Sequence, residues 1–518
     1  MTDPASTMTT HRLASASFVL VAAFAPLNAR AADPSPAPFD GRELALLNRV
    51  TWGVSETDAR SMAAMGPERW LDRQLHSRPD DPLPHEAQAQ IDANTDGGTT
   101  MANVVIAMRA RQKSIGAISD PDQKKAAQKA YDADMNGELQ RAVTRSLVRD
   151  LYSPDQLREQ MTWFWFNHFS VQAAKSNLRL MVGDYEDNAL RPHALGRFRD
   201  LLAATLRHPA MLRYLDNADN AAGHINENYA REIMELHTLG VDGGYSQKDV
   251  QELARILTGV GIDTNPQPPN LPPTLRGQLI RKGLFEFNPK RHDYGDKVFL
   301  GRRIRGRGFG EVEEALDILA RNPATARHVS RQLAIYFVSD NPSDALVERM
   351  SQTFLRSDGR IAQVLATMFR SPEFQASLGT KFKDPVHYVL SSVRLAYGDR
   401  VVLNAGPIQG WLGRLGEALY NHPTPDGYST VAAAWNGPGQ MEARFEVAQK
   451  IGGGAGGLFK SDPAGAVNQP GVPILQNALY YEGLAQTLGG PTRTALAEAA
   501  SPQDWNALFL SSPDFMHR

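Results

Sequence analysis

The residues best equipped for chemistry lie between Asn226 and Gly259, in the run NENYAREIMELHTLGVDGGYSQKDVQELARILTG. On a helical wheel, at about 100° per residue, Glu227, Asn228, Arg231, Glu232 and Glu235 share one half of the cylinder. Tyr229, Ala230, Ile233, Met234 and Leu236 take the other half, with His237 in its middle. Carboxylates three residues apart, as Glu232 and Glu235 are, can present metal ligands or an acid–base pair from one helix face. On this reading Asn228, Glu232 and Glu235 line a cleft, and Arg231 holds one carboxylate in place. A second reading is open. Glu227–Arg231 and Arg231–Glu235 are also i, i+4 pairs of the kind that stabilise a solvated face by a few tenths of a kcal/mol.

Three histidines extend the set. His237 faces the core and needs a polar partner there, because an unpaired buried imidazole is costly. His168 sits in WFWFNHFSV, apolar nearly all round, so it and Asn167 require hydrogen-bond partners from elsewhere in the fold. His292, with Asp293 beside it, falls on what reads as an exposed hairpin tip. His168, His237 and Glu232 have the chemical range to bind a divalent metal. Glu232 or Glu235 would then act as ligand or general base, and His168 or His292 as ligand or acid. Local spacing adds no support, since neither H-E-x-x-H nor an EF-hand loop occurs. The G-x-S-x-G elbow is missing, and GRGFG and GGGAGG lack the lysine and the context of a phosphate loop. Zero cysteines exclude thiol chemistry, disulfides and thiolate metal sites.

The elements that must position these groups read as helices. Asn226 can cap the first helix of the run, and Gly240 falls at its left-handed end. Ser246 and Asp249 form a capping box for a second helix carrying Val250, Leu253, Ala254 and Leu257 and stopping at Gly259. Ser or Asn followed by proline recurs at 153–154, 322–323, 371–372, 501–502 and 512–513, which reads as one repeated helix corner. Helices are expected at 311–320, 324–337, 344–356, 361–369 and 385–397. One hairpin is expected over 284–304, with the polar tip FNPKRHDYGDK. Residues 77–100 and 399–440 read as loops. The fold class is therefore mainly α: one large multi-helix domain over 41–518 with a small β-hairpin insertion and long loops. Residues 452–518 form a looser C-terminal part.

At the other end, Phe18–Leu27 is apolar, preceded by His11-Arg12 and followed by Ala29-Arg30-Ala31. This is the layout of a signal peptide over 1–31, leading into a proline-rich leader at 32–40, and it places the protein in the periplasm or outside the cell. The apolar stretch is too short to span a bilayer. A formal charge of −2 gives no electrostatic footprint for nucleic acid.

Taken in order, LLNRVTWG, WFWFNHFSV, the 226–259 run, FEFNPKRHDYGDKVFLG, HVSRQLAIYFVSD, LATMFRSPEF and PDGY resemble the bacterial domain-of-unknown-function family 1800. The resemblance implies an exported protein, often encoded beside an exported protein of family 1501 as a partner. It implies no activity. The residues themselves point to an exported helical enzyme with a His/carboxylate cleft performing metal-assisted hydrolysis or oxidation. The alternative is a non-catalytic periplasmic binding or assembly factor. In the enzyme reading, the polar face of the 226–239 helix should meet the hairpin tip or the aromatic helix, not bulk water.

Overall fold

A computed structural model describes residues 39–77, 82–95, 97–454, 456–460 and 471–518. The expected signal peptide and most of the proline-rich leader lie outside these residues. The chain is mainly helical, and Phe39–Arg518 forms one compact unit. Four helices at Gly41–Val50, Glu56–Met65, Pro67–Leu75 and His85–Ala93 open it, followed by the Met101–Gly116 and Pro121–Tyr152 pair. Asp120 accepts from the Gln123 N–H and Pro121 takes the first helical position, which is why the charged stretch breaks there. The aromatic helix Gln156–His168 comes next and is buried along nearly its whole length.

Asn322, Ser371 and Ser501 each cap a helix opened by proline, as the repeated corner implies. Two copies differ. Ser153-Pro154 precedes the aromatic helix without capping it, and Ser512 closes a turn. In both places the hydroxyl satisfies a backbone N–H in a loop.

The single hairpin is replaced by two small sheets. β1 (Val260–Ile262), β2 (Ile280–Lys282) and β3 (Phe285–Phe287) form an antiparallel sheet in the order β1-β3-β2. β4 (Lys297–Phe299) and β5 (Arg302–Ile304) make a separate pair. Between β3 and β4 the chain turns inward, and His292 is only 4% exposed. Its Nδ1 meets the Thr258 carbonyl at 2.8 Å and its Nε2 meets Glu311 Oε1 at 2.9 Å. Asp293 is paired with Arg255 at 2.9 Å. The exposed catalytic tip expected for His292 and Asp293 is thus corrected: Glu311, at the start of the Phe309–Ala320 helix, draws the histidine and Lys297 into the interior.

Glu311 is the anchor of that corner, accepting from His292, Lys297 and the Arg307 and Gly308 N–H groups. Removing its charge strands a buried ammonium. Glu311→Gln is expected to cost about 3–5 kcal/mol, read as a drop in the urea midpoint, with protease cleavage appearing first between residues 288 and 308.

Candidate functional site

The carboxylate helix spans Asn228–Glu235, shorter than the sequence suggests. Asn226 does not cap it through the N2 or N3 amide; its Oδ1 accepts from the Asn228 N–H at 2.9 Å, while its own N–H binds Asn220 Oδ1 at 3.0 Å. Asn228 is turned to the scaffold, its Nδ2 donating to the Leu215 carbonyl at 3.2 Å. Arg231 pairs with Glu227 at 3.0 Å and with Gln247 at 3.1 Å. It therefore binds the following helix, Gln247–Ile256, and makes no ion pair with Glu235. Glu232 and Glu235 keep half-buried carboxylates without a hydrogen bond or ion pair among the described residues.

Glu232 lies within electrostatic reach of Asp426, in the loop 422–428 that contains PDGY. Burial first, then the neighbouring carboxylates of Glu235 and Asp426, push the Glu232 carboxyl above its ordinary range, with Arg231 opposing. Tyr214 joins the two walls: its hydroxyl donates to the Pro423 carbonyl at 2.9 Å. Its phenol is pushed up to about 12, by burial and then by Asp426 and Glu232. Tyr245 flanks the other side and feels Glu235 and Glu232. Asp426 itself is mostly exposed and accepts from Thr424 Oγ1 at 2.5 Å. A cavity of about 450 Å³ adjoins the loop, lined by Asn421, His422, Tyr428 and Trp435 among others.

Both walls are held by adjacent residues at the end of the aromatic helix. Asn167 Nδ2 donates to the Tyr428 carbonyl at 2.8 Å, and its Oδ1 accepts from the Tyr428 N–H at 2.6 Å. Gly427, at φ 73°, lies so close that a Cβ would sit 2.1 Å from the Asn167 carbonyl oxygen. His168 Nε2 donates to the carbonyl of His237 at 3.0 Å, and His328 Nε2 to that of Leu236 at 3.0 Å. Two histidines thus cap the carbonyl end of the carboxylate helix. Gly240, at φ 84°, ends the turn as the sequence suggests, and a Cβ there would approach His328 Nδ1 to 2.9 Å.

These roles bear on the metal expectation. The rings of His168 and His237 lie 5.9 Å apart and those of His168 and His328 6.0 Å apart. Glu232 does not join them, because the helix presents it to the groove and His237 to the core. Among the described residues no group of three His, Cys, Asp or Glu side chains is arranged to hold a metal ion. His237 is 0% exposed, and neither of its ring nitrogens has a partner among the described residues. Burial, then His168 and His328, hold it well below the ordinary histidine range. His168 is lowered to about 3, by burial and then His328, against the bond to the His237 carbonyl. The residues that the sequence reading missed are Asp426, Tyr214 and His328. PDGY and HVSRQ were visible motifs, but nothing in them showed which helix they would face.

The fold and this groove define a mainly helical protein with two acidic walls tied to one helix end. The model of the family described as protein of unknown function (DUF1800) matches residues 45–517, and the chain belongs to that family. No curated protein and no solved structure matches it.

Asn167→Ala removes both bonds to the loop and is expected to cost about 1–3 kcal/mol. Amide exchange should quicken in 422–428 and less elsewhere. The histidines yield a second expectation. His168 is neutral when folded but takes a proton near pH 6.5 when unfolded, so stability is complete above about 6.5 and drains as pH falls toward 3. His237 acts in the same sense. Since its nitrogens have no partner among the described residues, His237→Leu should leave the urea midpoint at pH 7 unchanged or raised and make the acid decline shallower. A loss above about 3 kcal/mol would show that the imidazole holds a partner.

Proposed function

We propose that the groove between the Asn228–Glu235 helix and the loop 422–428 is an acid–base hydrolytic site of an exported, periplasmic or secreted protein. The carrying observation is that Tyr214 ties the loop of Asp426 to the side of Glu232, its hydroxyl donating to the Pro423 carbonyl at 2.9 Å while both carboxylates act on its phenol. One carboxyl, Glu232, is half-buried and raised above its ordinary range, hence suited to donate a proton. The other, Asp426, is exposed on a separate loop and would serve as base or nucleophile. Two carboxyl groups in such unlike environments are what glycosidic bond cleavage requires. Tyr245, and the cavity lined by Tyr428 and Trp435, offer aromatic surface with polar edges on which a sugar ring can stack. Glu235 keeps the Glu232 proton on, while Asn228 and Arg231 fix the helix.

The water balance is simple. Glu232 gives its proton to the departing oxygen as the glycosidic C–O bond breaks, Asp426 takes one from the attacking water, and the two exchange through solvent. Activity should fall as pH rises through the raised Glu232 range, since the donor is then lost.

The test is the mature chain against a panel of nitrophenyl glycosides and oligosaccharides. Glu232→Gln and Asp426→Asn are each expected to lower kcat by about 10²-fold or more. Glu232→Gln should leave the melting temperature equal or higher, because ionising a raised carboxyl weakens the folded state at neutral pH. No turnover on any member would return the reading to a non-catalytic binding or assembly factor acting with an exported partner.

A further inference from the structure

Far along the chain from the groove, a second constellation has its own chemistry and does not rest on the reading above. Lys383 is 2% exposed. Its Nζ meets Ser391 Oγ at 3.1 Å and lies 3.7 Å from the centre of the Phe515 ring. No carboxylate forms an ion pair with it among the described residues. The nearby Asp384 is committed to His387 at 2.8 Å, and Glu417 to the Val386 N–H at 3.0 Å. The charges that face Lys383 are cations: Arg518 from the C-terminal segment and Arg444 from the Pro438–Gly453 helix. Burial and these two guanidiniums push the ammonium well below the ordinary lysine range.

Lys383 and Ser391 together border a cavity of about 300 Å³. Leu44, Val54, Leu395, Leu488 and Phe509 give it apolar walls, and Asp514 and His517 stand at its border. Asp514 is engaged by Thr492 Oγ1 at 2.5 Å and the Gly489 N–H at 3.2 Å, and His517 Nδ1 by the Pro513 carbonyl at 2.7 Å. A structural lysine would be expected to reach a carboxylate or the surface. A desolvated amine beside fixed cations and an apolar cavity is instead the arrangement that makes lysine a nucleophile toward carbonyl compounds.

We propose that Lys383 is an imine-forming lysine that captures a small apolar aldehyde or ketone in this cavity. The neutral Nζ attacks the carbonyl carbon, forming a C–N bond as the C=O π pair moves to oxygen. A proton passes from nitrogen to that oxygen through Ser391 Oγ, giving a carbinolamine. The hydroxyl then leaves as water, with the second N–H proton lost, and the C=N bond forms. One amine and one carbonyl give one imine and one water, with no change of oxidation state.

The experiment uses the full mature chain with hexanal and sodium cyanoborohydride at pH 7, followed by intact mass measurement and peptide mapping. One hexyl adduct per chain is expected, on Lys383, formed at least about tenfold faster than on exposed lysines such as Lys124 and Lys125. Ser391→Ala should slow the adduct while leaving its position unchanged; an unchanged rate overturns the relay given to Ser391. Lys383→Met should lose it. Should that variant fail to fold, the peptide map of the unaltered chain still decides. Adducts confined to exposed lysines, with Lys383 unmodified in the folded chain, overturn the proposal.

Discussion

The groove depends on one peptide unit, Asn167–His168. The first side chain holds the loop 422–428 and the second holds the turn after the carboxylate helix. Neither bond has value unless the helix that carries them is immobile, and that is the work of the aromatic block. Phe164 packs edge-on to Tyr336, Phe166 lies 4.8 Å from Tyr420, and the Trp165 indole donates to the Ala194 carbonyl. Large rings dominate core energetics and their geometry is directional, so they fix rotation as well as position. Asn167 and His168 are therefore polar residues placed at the end of a core helix because two distant segments need donors there.

Beneath this lies an unusual amount of buried charge. Arg191 lies between Glu159 and Glu186, and burial with Asp187 nearby raises Glu186 to about 7. Tyr420 and Ser146 bond to the same glutamate. Arg49 reaches the Phe337 carbonyl at 2.6 Å and Ser377 Oγ at 2.9 Å, and Arg444 is stacked between Phe382 and Tyr388 at 4.8 and 4.7 Å. Each such group is costly to desolvate, so its partners are held in one geometry. Guanidinium suits the role, since its planar donors reach several carbonyls and its face accepts a ring.

How far this was legible in the sequence follows from where the information is local. Helices Asp344–Arg356, Ile361–Phe369 and Pro385–Tyr397 appear with the bounds read from the sequence, because caps, prolines and apolar periodicity agree there. The helices His85–Ala93 and Gly406–Arg414 were hidden among proline and glycine, which outweighed their short apolar patterns. The hairpin reading failed at His292 because a polar stretch was taken as solvated, whereas Glu311, in a later helix, provides buried partners. At the groove, the wheel isolated Glu232 and Glu235 correctly as a face. It could not show that Asp426, nearly two hundred positions later, would come within reach of Glu232. Periodicity reports which way a residue points along its own helix and says nothing of what comes to meet it.

The last strap of the chain has a consequence for how the molecule comes into being. Lys381 and Lys383 pair by backbone hydrogen bonds with Arg518 and Met516, and the Arg518 guanidinium reaches the Tyr336 carbonyl at 2.8 Å. Asn48, on the first helix, donates to the carbonyl of His517 at 3.1 Å. Contacts at this sequence separation close only after the intervening chain is in place, and topology of this kind slows folding. In a growing polypeptide this closure waits until residues 516–518 have emerged to meet Asn48, Lys381 and Lys383.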